Sequence, residues 1–309
     1  MPRLVFAGSS DFAVPSLEAL VGASWHVAGV LTQPPRPTGR RRRLMPTPVG
    51  QRAAELGIET LTPKTLRDPA TLAALAALQP EVLVVVDYGL MLPAPVLSLP
   101  PHGCVNGHAS LLPRWRGAAP IQAAVLAGDT RTGIAIMSMD KGLDTGPVYK
   151  MQDTTIGELE TAGELRARLA AMCAALLAAT LPEIVAGRLQ PRPQDEASAT
   201  YAPKIAPEDA EVHWQDAAPE LARRIRAFAP RPGAWTTWRG QRLKLHRAGA
   251  LAEREGPPGR VWRAGADGID VAAGEGSVRV LELQSPGGRV LTAREFLNGR
   301  ALLGEQLGA

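Results

Sequence analysis

Cysteine is nearly absent: the 309-residue chain has two, Cys104 and Cys173. Two thiols cannot build a disulfide framework, and no Cys/His spacing suggests zinc, so a reduced, intracellular protein without a metal is expected. The start, MPRLVFAGSSDF, does not read as a signal peptide, because its apolar run is short and ends in a turn. No apolar run approaches the roughly 18 residues of a membrane span. The most Ala-rich stretch, residues 169–181, is interrupted by Cys, Met and Thr. A cytoplasmic protein with no membrane partner is therefore expected. The glycine pattern G-x-G-x-x-G is missing after the first strand, where Gly-Ser-Ser stands instead, so a dinucleotide site has little support. No internal repeat is visible.

What is present is enough apolar material, 45% of residues, for at least one large core in a chain longer than a typical domain. The formal charge is only +4, but the cations are clustered. Arg36, Arg40, Arg41, Arg42 and Arg43 share one short loop with no acid between them. A second region, residues 223–263, holds eleven Lys and Arg against Glu253 and Glu255. Two separated basic surfaces suggest a large anionic partner, while either one alone is as readily a solvated face.

The pattern along the chain alternates strands with helices. RLVFAGS (3–9), HVAGVLTQ (26–33), EVLVVVDYG (81–89) and GCVNGHAS (103–110) read as buried strands. TGIAIMSMD and PVYKMQDTTI follow as two more. Helices are expected at 15–20 with Asp11 as a cap, at 49–56, around Leu72, Leu75 and Leu78, at 117–126 and at 161–186 with a break at Pro182. Residues 34–48 are too rich in Pro to be regular throughout. The alternation predicts a doubly wound, Rossmann-like α/β domain with a parallel sheet over residues 1–189. A polar, Pro-rich linker is expected at 190–207. Short strand-like pieces separated by Gly and Pro then predict a smaller β-barrel (OB-like) domain at 208–309, closed by a helix that Thr292 and Glu295 cap.

Candidate chemistry sits at NGHASLLPRWRGAAPIQ (106–122). Asn106 and His108 are alternate residues leaving a strand, so both side chains can face the same way. Asp144 lies in a Gly-bounded loop after another strand. Asn and protonated His can stabilise a tetrahedral oxyanion, and His with Asp can manage a proton. That set suits acyl transfer without a covalent enzyme intermediate, although an isolated Asn-x-His is more often a strand-end hydrogen-bonding pair. Arg114 and Arg116 could bind an anion or anchor the Leu-Leu-Pro turn on backbone carbonyls, and the anchoring role is favoured. Trp235 and Trp238 could stack on bases, but core packing is the more common use.

The wording of these stretches is more specific than their composition. NGHASLLPRWRGAAPIQ with MDKGLDTGP closely resembles the folate-dependent formyltransferases, and FAGSSDFAVPSL, LTQPPRPTGRRRRLMPTPV, VVVDYGLMLP and RAFAPRPGAWT extend the resemblance over nearly the whole chain. The resemblance implies formyl transfer from 10-formyltetrahydrofolate, with Asn106, His108 and Asp144 on the catalytic positions. It places Ser110, Leu111, Leu112 and Pro113, with Tyr88, Gly89 and Leu90, on folate-binding segments. The long basic loop resembles that of the members acting on tRNA. This implies initiator methionyl-tRNA as the acceptor, met by Arg40, Arg41, Arg42 and Arg43, and a monomer. One departure is Gly107, where the family usually has a branched apolar residue; its side chain is expected to point away from the site. Rival readings are a formyltransferase acting on a sugar nucleotide or other small amine, a non-catalytic RNA-binding protein, and a hydrolase of the formyl donor.

Overall fold

The computed structural model describes residues 2–38 and 43–308. Its elements run β1 (Arg3–Gly8), α1 (Val14–Gly22), β2 (His26–Leu31), β3 (Arg36–Thr38), β4 (Arg43–Met45), α2 (Pro48–Glu55), β5 (Thr60–Leu61), α3 (Pro69–Ala77), β6 (Val82–Val86), α4 (Ala94–Leu97) and β7 (Cys104–His108). There follow β8 (Arg116–Gly117), α5 (Pro120–Ala127), β9 (Arg131–Ser138), β10 (Val148–Thr155), α6 (Ala162–Val185) and β11 (Tyr201–Ala202). Two compact units share these elements. One comprises Met1–Gly117, Gly133–Thr154 and Ala167–Tyr201; the other comprises Ala118–Thr132, Thr155–Arg166 and Ala202–Ala309.

The first unit is centred on a seven-stranded sheet in the order β10-β9-β7-β6-β1-β2-β5. Val-rich β6 is buried at every position, as a strand covered on both faces must be. Parallel pairing links β1 with β2 and β6, β2 with β5, and β6 with β7. The chain order therefore reverses between β1 and β6, the kind of position where open α/β sheets bind ligands. The carboxyl ends there are stitched together. The Ser9 N–H donates to the Asp87 carbonyl, the Ser9 hydroxyl donates to the Tyr88 carbonyl at 2.9 Å, and the Gln33 N–H donates to Ser9 Oγ.

The sheet is mixed rather than parallel throughout. β9 runs antiparallel to β7, with Asn106 opposite Met137 and His108 opposite Ala135. A parallel connection needs a crossover helix packed on the sheet. The helix between these strands, α5, belongs to the other compact unit.

Several element ends differ from expectation. α1 starts at Val14 behind an N-cap Ala13 that supplies no side-chain cap, and Asp11 Oδ1 instead accepts the neighbouring Phe12 N–H. α5 begins at Pro120, because Arg116–Gly117 are held as a short strand against β11. The Pro-rich loop is partly regular, since Arg36 pairs with Met45 and Pro37 with Leu44 in an antiparallel ladder. α6 runs unbroken through Pro182. By length and hydropathy alone this helix is apolar enough to cross a membrane, contrary to the expectation from runs of residues, and half of its apolar window is buried in the fold. Leu165, Leu169, Cys173, Leu177 and Leu181 recur every four residues and are all inaccessible, the stripe of a core helix.

The second unit adds α7 (Ala218–Phe228), β12 (Ala234–Trp238), β13 (Gln241–Leu251), β14 (Val261–Gly265), β15 (Gly268–Ala272), β16 (Ser277–Gln284), β17 (Leu291–Thr292) and α8 (Ala293–Leu297). Its antiparallel sheet runs β12-β13-β16-β15-β14, with β17 on β16. α7 buries Leu221, Ala222, Ile225 and Phe228 on one face, the spacing of an amphipathic helix. Thr292 and Glu295 close the expected capping box at α8. The last segment bonds to both edge strands: the Val261 N–H donates to the Glu305 carbonyl, and the Gly308 N–H to the Thr237 carbonyl.

Candidate active site

Asn106 and His108 stand two residues apart on β7, and Gly107 between them faces the other way. A Cβ built on Gly107 would lie 2.5 Å from Cys173 Sγ of α6 and 3.4 Å from Leu177 Cδ1. The helix therefore fills the space that a side chain would need, and Asn106 and His108 project from the opposite face of the strand. This also accounts for the departure at position 107: the Cys173 sulfur takes the room of a branched side chain. Burial pushes the Cys173 thiol up to about 12, so at neutral pH it is a packing group.

Asp144 reaches the pair from the β9–β10 loop. Its backbone is left-handed, φ 55°. Within the loop, Asp140 Oδ1 accepts the Gly142 N–H at 2.9 Å and the Thr145 hydroxyl at 2.7 Å. Gly146 follows where a Cβ would overlap the Ser138 carbonyl oxygen, so only glycine lets the loop close here. The carboxylate is then shared. Oδ2 accepts the Gly117 N–H at 2.8 Å and lies 3.7 Å from His108 Nδ1, while Oδ1 receives Asn106 Nδ2 at 3.4 Å. The three side chains are only 7–13% exposed, which removes competing water and strengthens each polar contact.

His108 Nε2 lies 2.9 Å from the Trp115 carbonyl oxygen. A carbonyl only accepts, so Nε2 carries a proton in this arrangement and Nδ1 is the nitrogen turned towards the carboxylate. Asn106 has two amide hydrogens, and one long bond to Asp144 leaves it able to donate to a reacting oxygen. The sequence-predicted trio is thus brought together in one place.

The expected folate-binding residues divide into side-chain and backbone roles. Ser110 is inaccessible and its hydroxyl donates to the Arg114 carbonyl at 2.6 Å, so it ties the turn. Leu112 packs with Ala135, Met137 and Val148, and its bond to Pro113 is cis. Leu111 and Pro113 are half-buried. Tyr88 turns its ring into the core with Val85, Leu92 and Val96, where its hydroxyl has no partner among the described residues and burial raises its pKa. Its carbonyl faces the strand ends, accepting from Ser9 Oγ. Gly89 is exposed with φ 86°, Leu90 is half-buried, and Met91 beside them is 60% exposed.

Of the basic loop, Arg40, Arg41 and Arg42 lie outside the described residues, and Arg43 is exposed on β4. The second basic region is less bare than its sequence. Arg247 pairs with Glu164 and Glu282, and Arg239 with Glu305. These acids are distant in sequence, so a local count of charge misses them. Trp235 and Trp238 are half-buried, each under a guanidinium, that of Arg242 at 3.9 Å and that of Arg239 at 5.0 Å.

Sequence reasoning missed residues 194–201. Gln194 Nε2 donates to the carbonyls of Asp144 and Gly146 at 2.8 and 2.7 Å. Thr200 accepts the N–H groups of Arg116 and Trp115 on its carbonyl and hydroxyl. Arg116, inaccessible, directs its guanidinium at Gln194 and Glu196 rather than at turn carbonyls, while Arg114 lies exposed over the Trp115 ring at 4.3 Å. No pattern in the linker-like stretch flagged these contacts.

Comparison with known proteins places the whole chain in a family. Residues 2–181 match the formyl transferase family and residues 204–301 the formyl transferase C-terminal domain. The methionyl-tRNA formyltransferase of Methylococcus capsulatus is 47% identical over 307 residues, covering 99% of each chain. That of Xanthomonas axonopodis pv. citri is 51% identical over 301 residues, covering 96% of this chain and 97% of its own. Among solved structures, the N-formyltransferase from Helicobacter canadensis, in complex with folinic acid and dTDP-3-aminofucose, shares the fold at TM-score 0.69 and 16% identity over 91% of this chain and 99% of that one. HypX from Aquifex aeolicus with tetrahydrofolic acid matches at TM-score 0.64 and 16% identity over 96% of this chain, which spans about half of HypX (47%). On the full-length match to the curated relatives, the chain belongs to the methionyl-tRNA formyltransferases.

Proposed function

We propose that Asn106, His108 and Asp144 carry the transfer of a formyl group from 10-formyltetrahydrofolate to the α-amino group of methionyl-initiator tRNA. The observation that carries this reading is the single carboxylate of Asp144 reaching both Asn106 and the Nδ1 side of His108. The amine must be neutral to attack; a free α-amino group has a pKa of about 7.7–8.0 and the neighbouring ester lowers it, so this is readily met near pH 7. As the new C–N bond forms, negative charge develops on the formyl oxygen, and the spare Asn106 amide hydrogen is the donor placed to meet it. The Asp144–His108 pair takes the proton lost from the amine. That proton passes to N10 of the folate as the C–N10 bond breaks, which leaves the enzyme unchanged. The protein contributes positioning and oxyanion stabilisation and forms no covalent intermediate.

Ser110 to Pro113 and the Tyr88–Leu90 loop form the folate side, acting through the shape of the two loops and their backbone groups. Exposed Met91 beside them offers apolar surface suited to a flat ring system. Residues 1–189 carry the chemistry, residues 208–309 act as a small OB-like barrel that binds tRNA, and Arg40–Arg43 bind tRNA as well. The protein acts as a cytoplasmic monomer.

Formylation assayed with charged initiator tRNA, uncharged tRNA and an amino sugar nucleotide tests the acceptor. Product with the charged tRNA alone is expected, and preference for the sugar nucleotide would overturn the reading. Asn106→Ala and His108→Ala should each lower kcat by ~10²–10³ with tRNA affinity retained. A near-normal kcat in either would remove that residue from the mechanism.

A further inference from the structure

The catalytic loop is held from behind by a polar chain that ends at the protein surface. Arg116 has five donor hydrogens, and each has an acceptor. Nε reaches Gln194 Oε1 at 3.1 Å, and Nη2 reaches the same oxygen at 2.9 Å and Glu196 Oε1 at 2.7 Å. Nη1 reaches Glu196 Oε2 at 2.8 Å and the Tyr201 hydroxyl at 3.5 Å. The guanidinium is inaccessible, and its partner Glu196 is 68% exposed. With its oxygen held, the Gln194 amide can point only one way, and its Nε2 forks onto the carbonyls of Asp144 and Gly146.

Those two carbonyls flank the tightest part of the loop. Asp144 is left-handed, a conformation that costs a non-glycine residue energy unless its surroundings hold it. The same guanidinium fixes the strand that carries Gly117, whose N–H fixes Asp144 Oδ2. Asp144 is therefore gripped twice from one centre, at its backbone through Gln194 and at its carboxylate through Gly117.

We propose that Gln194, locked by Arg116 and Glu196, is a positioning residue for formyl transfer. It holds the Asp144 carboxylate at the distance from Asn106 and His108 that the reaction needs. The inference rests on Asp144 being a catalytic residue. A misplacement of the order of 1 Å in such a group costs about 10²-fold in rate. Gln194 bonds the backbone of Asp144 and none of the three reacting side chains, so its effect is on kcat and not on substrate binding.

The experiment uses the full-length protein with Gln194→Met, which keeps the size but not the donor, and Gln194→Glu, which keeps an acceptor for Arg116 but offers the two carbonyls no N–H. Steady-state kcat and KM for folate and tRNA are measured on folded protein, each variant alone and combined with Asp144→Asn. The expected result is a kcat at least tenfold lower, both KM values within about threefold, and little further loss when the Gln194 variants are added to Asp144→Asn. Should Gln194→Met not fold, Gln194→Glu and Glu196→Gln carry the same test. A kcat less than tenfold below the parent, a matching rise in KM, or losses that multiply with Asp144→Asn would overturn the proposal. If Asp144→Asn alone leaves kcat near normal, the catalytic reading of Asp144 is what has failed.

Discussion

Placing a branched side chain at position 107 would set the strand of Asn106 and His108 against the helix behind it. The Cβ of Gly107→Val would lie 2.5 Å from Cys173 Sγ, 3.4 Å from Leu177 Cδ1 and 3.5 Å from Val86 Cγ2. Favourable contacts of this kind sit at about 3.5–4.0 Å, so strand or helix must yield by about 1 Å. Cys173 and Leu177 are inaccessible, which leaves the sulfur no route outward. Overpacking of a dense core costs ~1–3 kcal/mol, and replacing a strand glycine returns ~0.5–1 kcal/mol. The balance is ~0–2.5 kcal/mol against the fold, centred near ~1 kcal/mol, or a fall in Tm of roughly 2–4 °C at that centre. Activity should fall further than stability, because the displaced strand carries Asn106 and His108 and a shift of about 1 Å costs about 10²-fold. Adding Cys173→Ala removes the clashing sulfur and should return both Tm and kcat towards the parent, with a coupling of at least ~1 kcal/mol in the double-mutant cycle. Thermal melts and single-turnover formylation read the two effects. A Gly107→Val protein with unchanged Tm and kcat, or one that Cys173→Ala fails to repair, would refute the packing argument.

Two further outcomes are expected. Arg247 holds the Glu164 carboxyl down at about 2 against an ordinary 4.5, helped by the Thr161 N–H and hydroxyl. A depressed acid stabilises the fold above its unfolded pKa and loses that contribution as pH falls towards the folded one, so the Tm gap between parent and Arg247→Gln should narrow from pH 4.5 to about pH 2; a gap independent of pH would exclude this ion pair as its source. Replacing Arg40, Arg41, Arg42 and Arg43 by Gln should lower the slope of log tRNA affinity against log salt by up to about 0.7–0.9 for each phosphate that the loop no longer neutralises. Parallel plots for parent and variant would rule out phosphate binding by this loop.

Strand positions in the first unit were legible because buried parallel strands are short, nearly continuous apolar runs, as in LVFAG and VLVVV. The α8 capping box was legible for a similar reason, since both partners lie within four residues. The direction of β9 was not. Its apolar run has the same appearance whichever way it points, and the helix that suggested a crossover packs in the other unit. Asp144 therefore meets Asn106 by the folding of its own loop and not by a shared strand polarity. The pairing of Arg239 and Arg247 in residues 223–263 was hidden for a related reason, because Glu164, Glu282 and Glu305 approach from elsewhere in the chain.

By itself the sequence determined which residues could do chemistry, because alternation on one strand put Asn106 and His108 on one face and their wording matched one family. It also determined that position 107 carries no side chain. Only the tertiary structure decided why that is tolerated, through Cys173 of α6, and how Asp144 is held, through Gln194 and Arg116. Those contacts join residues 66 and 50 positions apart, reckoned as 173 − 107 and 194 − 144. Periodicity and capping rules act over a few residues, whereas contacts of that span exist only once the sheet and α6 have closed around them.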